Sequence, residues 1–212
     1  LPVKIGNDAT LAALAEHRVG AGRGYSNMLY YTLSTGIGGG IVLNGELYKG
    51  ANGFAGELGH MTVDFNGPRC NCGNVGCLEA LASGSALARE ARAGIALGES
   101  TTLSGENANG PSAIQIFQAA MQGDRFSMRL VHRAARALGA AFVSAAYAFD
   151  PHIIIVGGGI SLSFEQLKPG IDQYIAVHAS SRQNKAILIM LSALGDNASL
   201  IGAGCLFPSS WA

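Results

Sequence analysis

Met28-Leu29-Tyr30-Tyr31-Thr32-Leu33-Ser34-Thr35-Gly36-Ile37-Gly38-Gly39-Gly40-Ile41-Val42-Leu43 is the stretch that decides the fold. Met28–Ser34 is rich in aromatic and β-favouring residues and reads as a strand, and Gly40–Leu43 reads as a second. Asn44-Gly45 follows, a dipeptide suited to the positive-φ positions of a tight hairpin turn, and Glu46–Tyr48 makes a short third strand. The glycines between the first two strands leave backbone N–H groups free to face phosphate oxygens. A strand follows them, so the run is neither the Walker pattern nor the strand-to-helix dinucleotide fingerprint. A plain glycine-rich hairpin explains the same residues equally well.

Upstream, Val3–Ile5 reads as the end of a strand. Leu11, Leu14, Ala15 and Val19 then recur at helical spacing, and glycines at 20, 22 and 24 stop the helix. Downstream, 50–78 is loop-like, and Ser83 to about Leu97 is helical with Leu87, Ala91 and Ile95 on one face. A polar break at 99–110 precedes helices near 112–122 and 125–149, the latter ended by Asp150-Pro151. Ile153–Val156 is a buried strand, Ser163 and Gln166 form a candidate capping box for a helix to about Ala179, Ile187–Leu191 is a strand and Ser199–Phe207 a helix. Strands alternating with helices make an α/β domain.

The 212 residues fit one domain with a buried core, or one large lobe of a bigger protein. Lys+Arg and Asp+Glu are both 14, which removes any electrostatic case for nucleic acid or an anionic membrane as main partner. No stretch approaches the ~20 apolar residues of a membrane span. The opening Leu1-Pro2-Val3-Lys4-Ile5 has neither part of a signal peptide and reads as the middle of a fold, so a longer protein is expected. Three of the four cysteines crowd between 70 and 77, which argues for metal binding in a reducing cytoplasm rather than for disulfides.

Cys70, Cys72 and Cys77 supply three soft ligands, and Gly73 and Gly76 let the chain wrap a small ion. Tetrahedral zinc needs a fourth donor, and His60 is the nearest plausible one. Three cysteines and a histidine leave no open position, so the expected zinc is structural. Cys205, in an apolar helix, reads as a core thiol. Asp8 opens a helix, where a carboxylate is often an N-cap, but a carboxylate is also the usual base for an alcohol. Glu57 and Glu79 each neighbour a proposed zinc ligand. On a stapled loop they could accept hydrogen bonds from several hydroxyls, though either alone could be a solvated acid. Gly157-Gly158-Gly159 after a strand suits either a nucleotide or a tight connection. Arg125, Arg129 and Arg133, with Arg136 close by, read as a solvated helix face rather than a DNA contact.

Together these pieces resemble the ROK family of repressors and sugar kinases, with the actin/hexokinase-like (ribonuclease H-like) fold. Leu33 to Ile41, Gly50 and Gly56-Glu57-Leu58-Gly59-His60 look like the family signature. Cys70 to Glu79 looks like its zinc-and-sugar loop, Asn7-Asp8-Ala9 like the segment of the catalytic aspartate, and Val156 to Ser161 like the adenosine-site turn.

The resemblance implies an ATP-dependent, glucokinase-like hexose kinase. Asp8 would take the proton from the sugar's 6-hydroxyl, while Asn7, Glu57, His60 and Glu79 hold other hydroxyls, with His60 also a zinc ligand. Gly36, Gly38 and Gly39 would lie against the ATP phosphates and Gly157 to Gly159 near the adenosine, with Mg²⁺ accompanying ATP. Nothing matches the family's Asp-x-Gly-Gly-Thr phosphate loop, so residues 1–212 would be the large lobe alone, with 57–79 its zinc and sugar loop. A cytoplasmic homodimer is expected. The alternatives are the sugar-sensing part of a repressor, which would touch DNA only through an upstream helix-turn-helix, and a non-catalytic sugar-binding module.

Overall fold

The hairpin forms as its turn chemistry requires. Strands β1 (Met28–Leu33) and β2 (Ile37–Leu43) pair antiparallel, and β2 pairs with β3 (Glu46–Leu47) through Asn44 and Gly45, whose φ angles are 54° and 80°. The structure, a computed structural model, describes residues 3–104, 110–181 and 187–207. The expected polar break at 99–110 lies partly outside these residues.

β2 starts at Ile37, earlier than its sequence suggests, because Gly38, Gly39 and Gly40 are themselves strand residues opposite Thr32, Tyr31 and Tyr30. Packing is the reason. A Cβ on Gly38 would come within 2.8 Å of the Ala9 Cβ, and one on Gly40 within 2.4 Å of the Ala13 Cβ. Helix α1 (Asp8–Val19) therefore lies closer to the sheet than any side chain would allow.

The five-stranded sheet has the order β3-β2-β1-β4-β5, where β4 (Ile153–Gly157) and β5 (Ile189–Leu191) run parallel to β1. Alternation along β1 separates two cores. Leu29, Tyr31 and Leu33 pack with α2 (Leu78–Ala82), α3 (Gly84–Ala96), α4 (Ala113–Met121), α5 (Arg125–Phe149) and α6 (Phe164–His178). Met28 and Tyr30 face Ala12 and Ala13 of α1 and Ala198 of α7 (Ala198–Gly204). Asp124 caps α5 by accepting from the Ser127 N–H at 2.7 Å and also accepts from the Thr102 N–H at 2.6 Å. No helix among the described residues is long and apolar enough to cross a membrane.

Several sequence expectations need correction. Val3 and Ile5 are 82% and 94% exposed and join no strand, because no strand among the described residues lies beside them. Ser163 makes no side-chain cap. A 3-10 turn over Gly159–Ser163 runs straight into α6, and the true capping box is Ser112 with Gln115 at the head of α4. Cys205 is half-buried just past the end of α7, not a core thiol. The arginine face of α5 is solvated as expected, with Arg129 paired to Glu99 and Arg133 to Glu90.

One feature escaped the sequence reading. Glu16 is fully buried inside α1, where a charge needs complete hydrogen bonding. Its carboxylate accepts from the Ala21 N–H at 2.7 Å, the Leu194 N–H at 3.0 Å, the Ala193 N–H at 3.3 Å and the Ser192 hydroxyl. It thereby ties α1 to the segment after β5. Burial, then the Glu16 charge, push the neighbouring Tyr30 phenol up to about 12. Glu16→Ala orphans these donors, so urea unfolding should show a loss of about 3–5 kcal/mol.

Candidate active site

The head of α1, the turn between β1 and β2, the 57–79 loop and the start of α2 converge on a cleft of about 410 Å³. Asn7, Asp8, Gly36, Gly38, Gly39, Glu57, His60 and Glu79 all line it. The structure thus brings together in one place residues that the sequence scatters over more than seventy positions.

Asn7, not Asp8, is the N-cap of α1. Its Oδ1 accepts from the Thr10 N–H at 3.1 Å, which leaves its Nδ2 available as a donor. Asp8 takes the first helical position instead. It is exposed, and Oδ1 accepts from the Ala9 N–H at 2.7 Å, which fixes the carboxylate at the positive end of the helix. The capping role that competed with catalysis for Asp8 belongs to its neighbour.

Glu79 joins the hairpin to the loop. One oxygen accepts from the Ile37 N–H at 2.9 Å, and the other lies 4.0 Å from the Cys70 sulfur. A Cβ on Gly36 would stand 2.6 Å from that carboxylate, so glycine is what allows the approach. His60 faces two ways: Nδ1 is 3.7 Å from the Cys70 Sγ, and Nε2 is 3.9 Å from Glu57. A single imidazole therefore borders both the cysteine cluster and the cleft.

The donor atoms of His60, Cys70, Cys72 and Cys77 lie within 4.8 Å of one another, and the Cys72 and Cys77 sulfurs are 3.6 Å apart. Zinc–sulfur bonds of about 2.3 Å in a tetrahedron imply donor separations of about 3.5–3.8 Å, so the set fits that ion. The backbone holds it: Cys77 bridges Thr62, Arg69 bridges Val75, and Gly76 at φ 68° would clash with the Asp64 carbonyl if it carried a Cβ. Burial, then the crowding sulfurs, push the Cys77 thiol up to about 12, while the Asn74 backbone holds Cys72 below its ordinary value. A cation bound here would displace such thiol protons, so its uptake would strengthen as pH rises.

Gly157, Gly158 and Gly159 divide. A Cβ on Gly157 would meet the Tyr30 hydroxyl at 2.4 Å, and Gly158, at φ 83°, abuts the Leu33 backbone. Both serve packing. Gly159 alone of the three lines a second, largely apolar pocket of about 420 Å³, with Ile114, Phe117 and Leu162. Ser34 and Thr35 border both this pocket and the cleft, and their carbonyls accept from the Gly84 and Ser85 N–H groups at the head of α3. The sequence reading missed Ser34, Thr35 and Ile114. The first two sat beside the glycine run, but nothing in helical periodicity marks the third.

A family model described as ROK family matches residues 1–210. The glucokinase of Halalkalibacterium halodurans is 41% identical over 209 residues, which cover 97% of this chain and 63% of that protein. A putative xylose repressor of Caldicellulosiruptor sp. is 36% identical over 203 residues, 95% of this chain and 51% of the repressor. Among solved structures, a ROK family glucokinase from Streptomyces griseus in complex with glucose and AMPPNP superposes with a TM-score of 0.83 at 34% identity. That likeness covers 97% of this chain and 68% of the other. A ROK family transcriptional regulator, a homolog of the E. coli MLC protein, gives 0.85 at 34% identity over 96% of this chain and 51% of its own.

Proposed function

This chain belongs to the ROK family, and from that membership and the cleft at the head of α1 we propose that it is the sugar-binding large lobe of an ATP-dependent hexose kinase. The observation that carries the reading is Asp8: an exposed carboxylate in the cleft, relieved of capping duty by Asn7.

Asp8 is the base that takes the proton from the attacking hydroxyl. Asn7, Glu57, His60 and Glu79 hold the remaining hydroxyls, which orients the sugar and leaves one oxygen over Asp8. Gly36, Gly38 and Gly39 at the cleft floor take the phosphates of Mg²⁺-ATP, and the apolar pocket beyond Ser34 and Thr35 takes its adenosine. His60, Cys70, Cys72 and Cys77 would hold a zinc ion, and its role would be structural, since four protein donors leave no position for substrate. Ligation there would keep the His60 ring oriented toward the sugar and hold Glu57 and Glu79 in place. The protein works in the cytoplasm as a homodimer.

The chain spans 63% of the glucokinase relative, and phosphoryl transfer needs a second lobe to enclose the phosphates. Alone, it should bind a hexose weakly and release negligible ADP in a coupled assay. Fused to the remaining third of a ROK glucokinase, it should turn over with glucose or a close relative. Robust turnover by the isolated chain would refute the two-lobe assignment. A fusion that binds sugar without ADP release would favour the second reading, a repressor's sugar sensor, which the xylose repressor likeness supports.

A further inference from the structure

A cavity of about 470 Å³ that the kinase reading does not use opens where α5, α6, α2 and the 57–79 loop meet. His132, Arg133 and Arg136 of α5 line it, together with Tyr174 of α6, which packs against Gly139 of α5, and with Leu81 and Asp64. A further 180 Å³ continues it along α6, sharing His132, Arg136 and Tyr174 and adding His178, whose ring stacks on Tyr174 at 4.1 Å. This volume lies within the range of small-ligand sites.

The charge on its walls is only partly used. Arg133 gives one nitrogen to Glu90 at 3.0 Å, and neither Arg136 nor His132 has an ion pair among the described residues. Asp64 accepts from the Asn66 N–H through one oxygen at 3.0 Å, which leaves the other as an acceptor. Each part of this lining suits a different part of one ligand. Guanidinium groups bind phosphate, a carboxylate accepts hydroxyls, and an aromatic ring over an apolar floor takes the C–H face of a pyranose. A bare anion would fill one corner, and a neutral sugar would leave Arg136 without a counter-charge.

We propose that this groove binds a phosphorylated monosaccharide, with the phosphate on Arg136, His132 and Arg133 and the sugar face against Tyr174. Its walls are continuous with the candidate active site. Leu81 follows Glu79 on α2, and the Val63 N–H beside Asp64 donates to the Gly76 carbonyl at 2.8 Å, next to Cys77.

Calorimetric titration of the 212-residue chain at low ionic strength, with saturating glucose present, tests this directly. Glucose 6-phosphate should bind, and inorganic phosphate should bind at least tenfold more weakly. Arg136→Gln should weaken glucose 6-phosphate about tenfold or more, the scale of a charge-assisted hydrogen bond. Arg125→Gln, an exposed arginine on the same helix but outside the groove, should leave binding unchanged. Circular dichroism melts would confirm that both variants are folded. The proposal is overturned by any of four results: no binding, competitive displacement by glucose, equal affinity for inorganic phosphate, or an Arg136→Gln variant that binds as before.

Discussion

Asp8→Asn should reduce sugar phosphorylation by about 10²–10⁴ in any two-lobed protein built on this chain, while hexose affinity stays within a few-fold. The amide matches the carboxylate in size and still accepts from the Ala9 N–H, so the geometry at the head of α1 survives. What it loses is the capacity to take a proton. On the rate scale that loss is roughly 3–5 kcal/mol. The competing effect, a weaker interaction with the helix dipole, is about 0.3–1 kcal/mol and acts on stability rather than turnover. A thermal melt beside a coupled ADP-release assay separates the two. A variant that keeps most of its turnover would reduce Asp8 to a first-turn helix charge.

Removing the metal should have the second large effect. Elemental analysis of protein purified without chelator should find one zinc per chain, as the three thiols and one imidazole require. Chelation should free the 57–79 loop and lower hexose affinity about 10–100-fold, the usual cost of losing the groups that orient a binding residue. Cys72→Ser should do the same while the helices stay folded, because the two main hydrophobic cores contain no cysteine. Hydrogen exchange should then quicken within 57–79 and remain slow in β1 and β4. A zinc content near zero in well-folded protein would remove the clip from this account.

Sequence made the chemistry easier to read than the architecture. The cysteine spacing with His60, and the pairs Asn7-Asp8 and Glu57 with Glu79, name residue types whose chemistry is narrow, and the fold brings all of them to one cleft and the Cys/His cluster beside it. Strand and helix boundaries followed from periodicity to within a few residues for α1, β1, α5 and β4.

The failures have physical causes. Gly38, Gly39 and Gly40 lack side chains, so no alternation marked them as strand, and only their contacts with Ala9, with the Gly56 carbonyl and Leu58, and with Ala13 show why they are glycine. Glu16 looked like a polar residue on an amphipathic helix. One of its four donors is the nearby Ala21 N–H, but the other three come from residues 192–194, far beyond any local window. Val3 and Ile5 have strand propensity but no neighbouring strand among the described residues, and propensity alone does not make one.

The most direct test is a calorimetric titration of glucose, N-acetylglucosamine and fructose into the zinc-loaded chain and its Glu79→Gln variant. At least one hexose should bind saturably at a single site. Glu79→Gln should weaken it about tenfold, since a charged acceptor to hydroxyls and to the Ile37 N–H becomes neutral. Indifference to all three sugars in folded, zinc-loaded protein would contradict the sugar cleft assigned to Asn7, Glu57, His60 and Glu79.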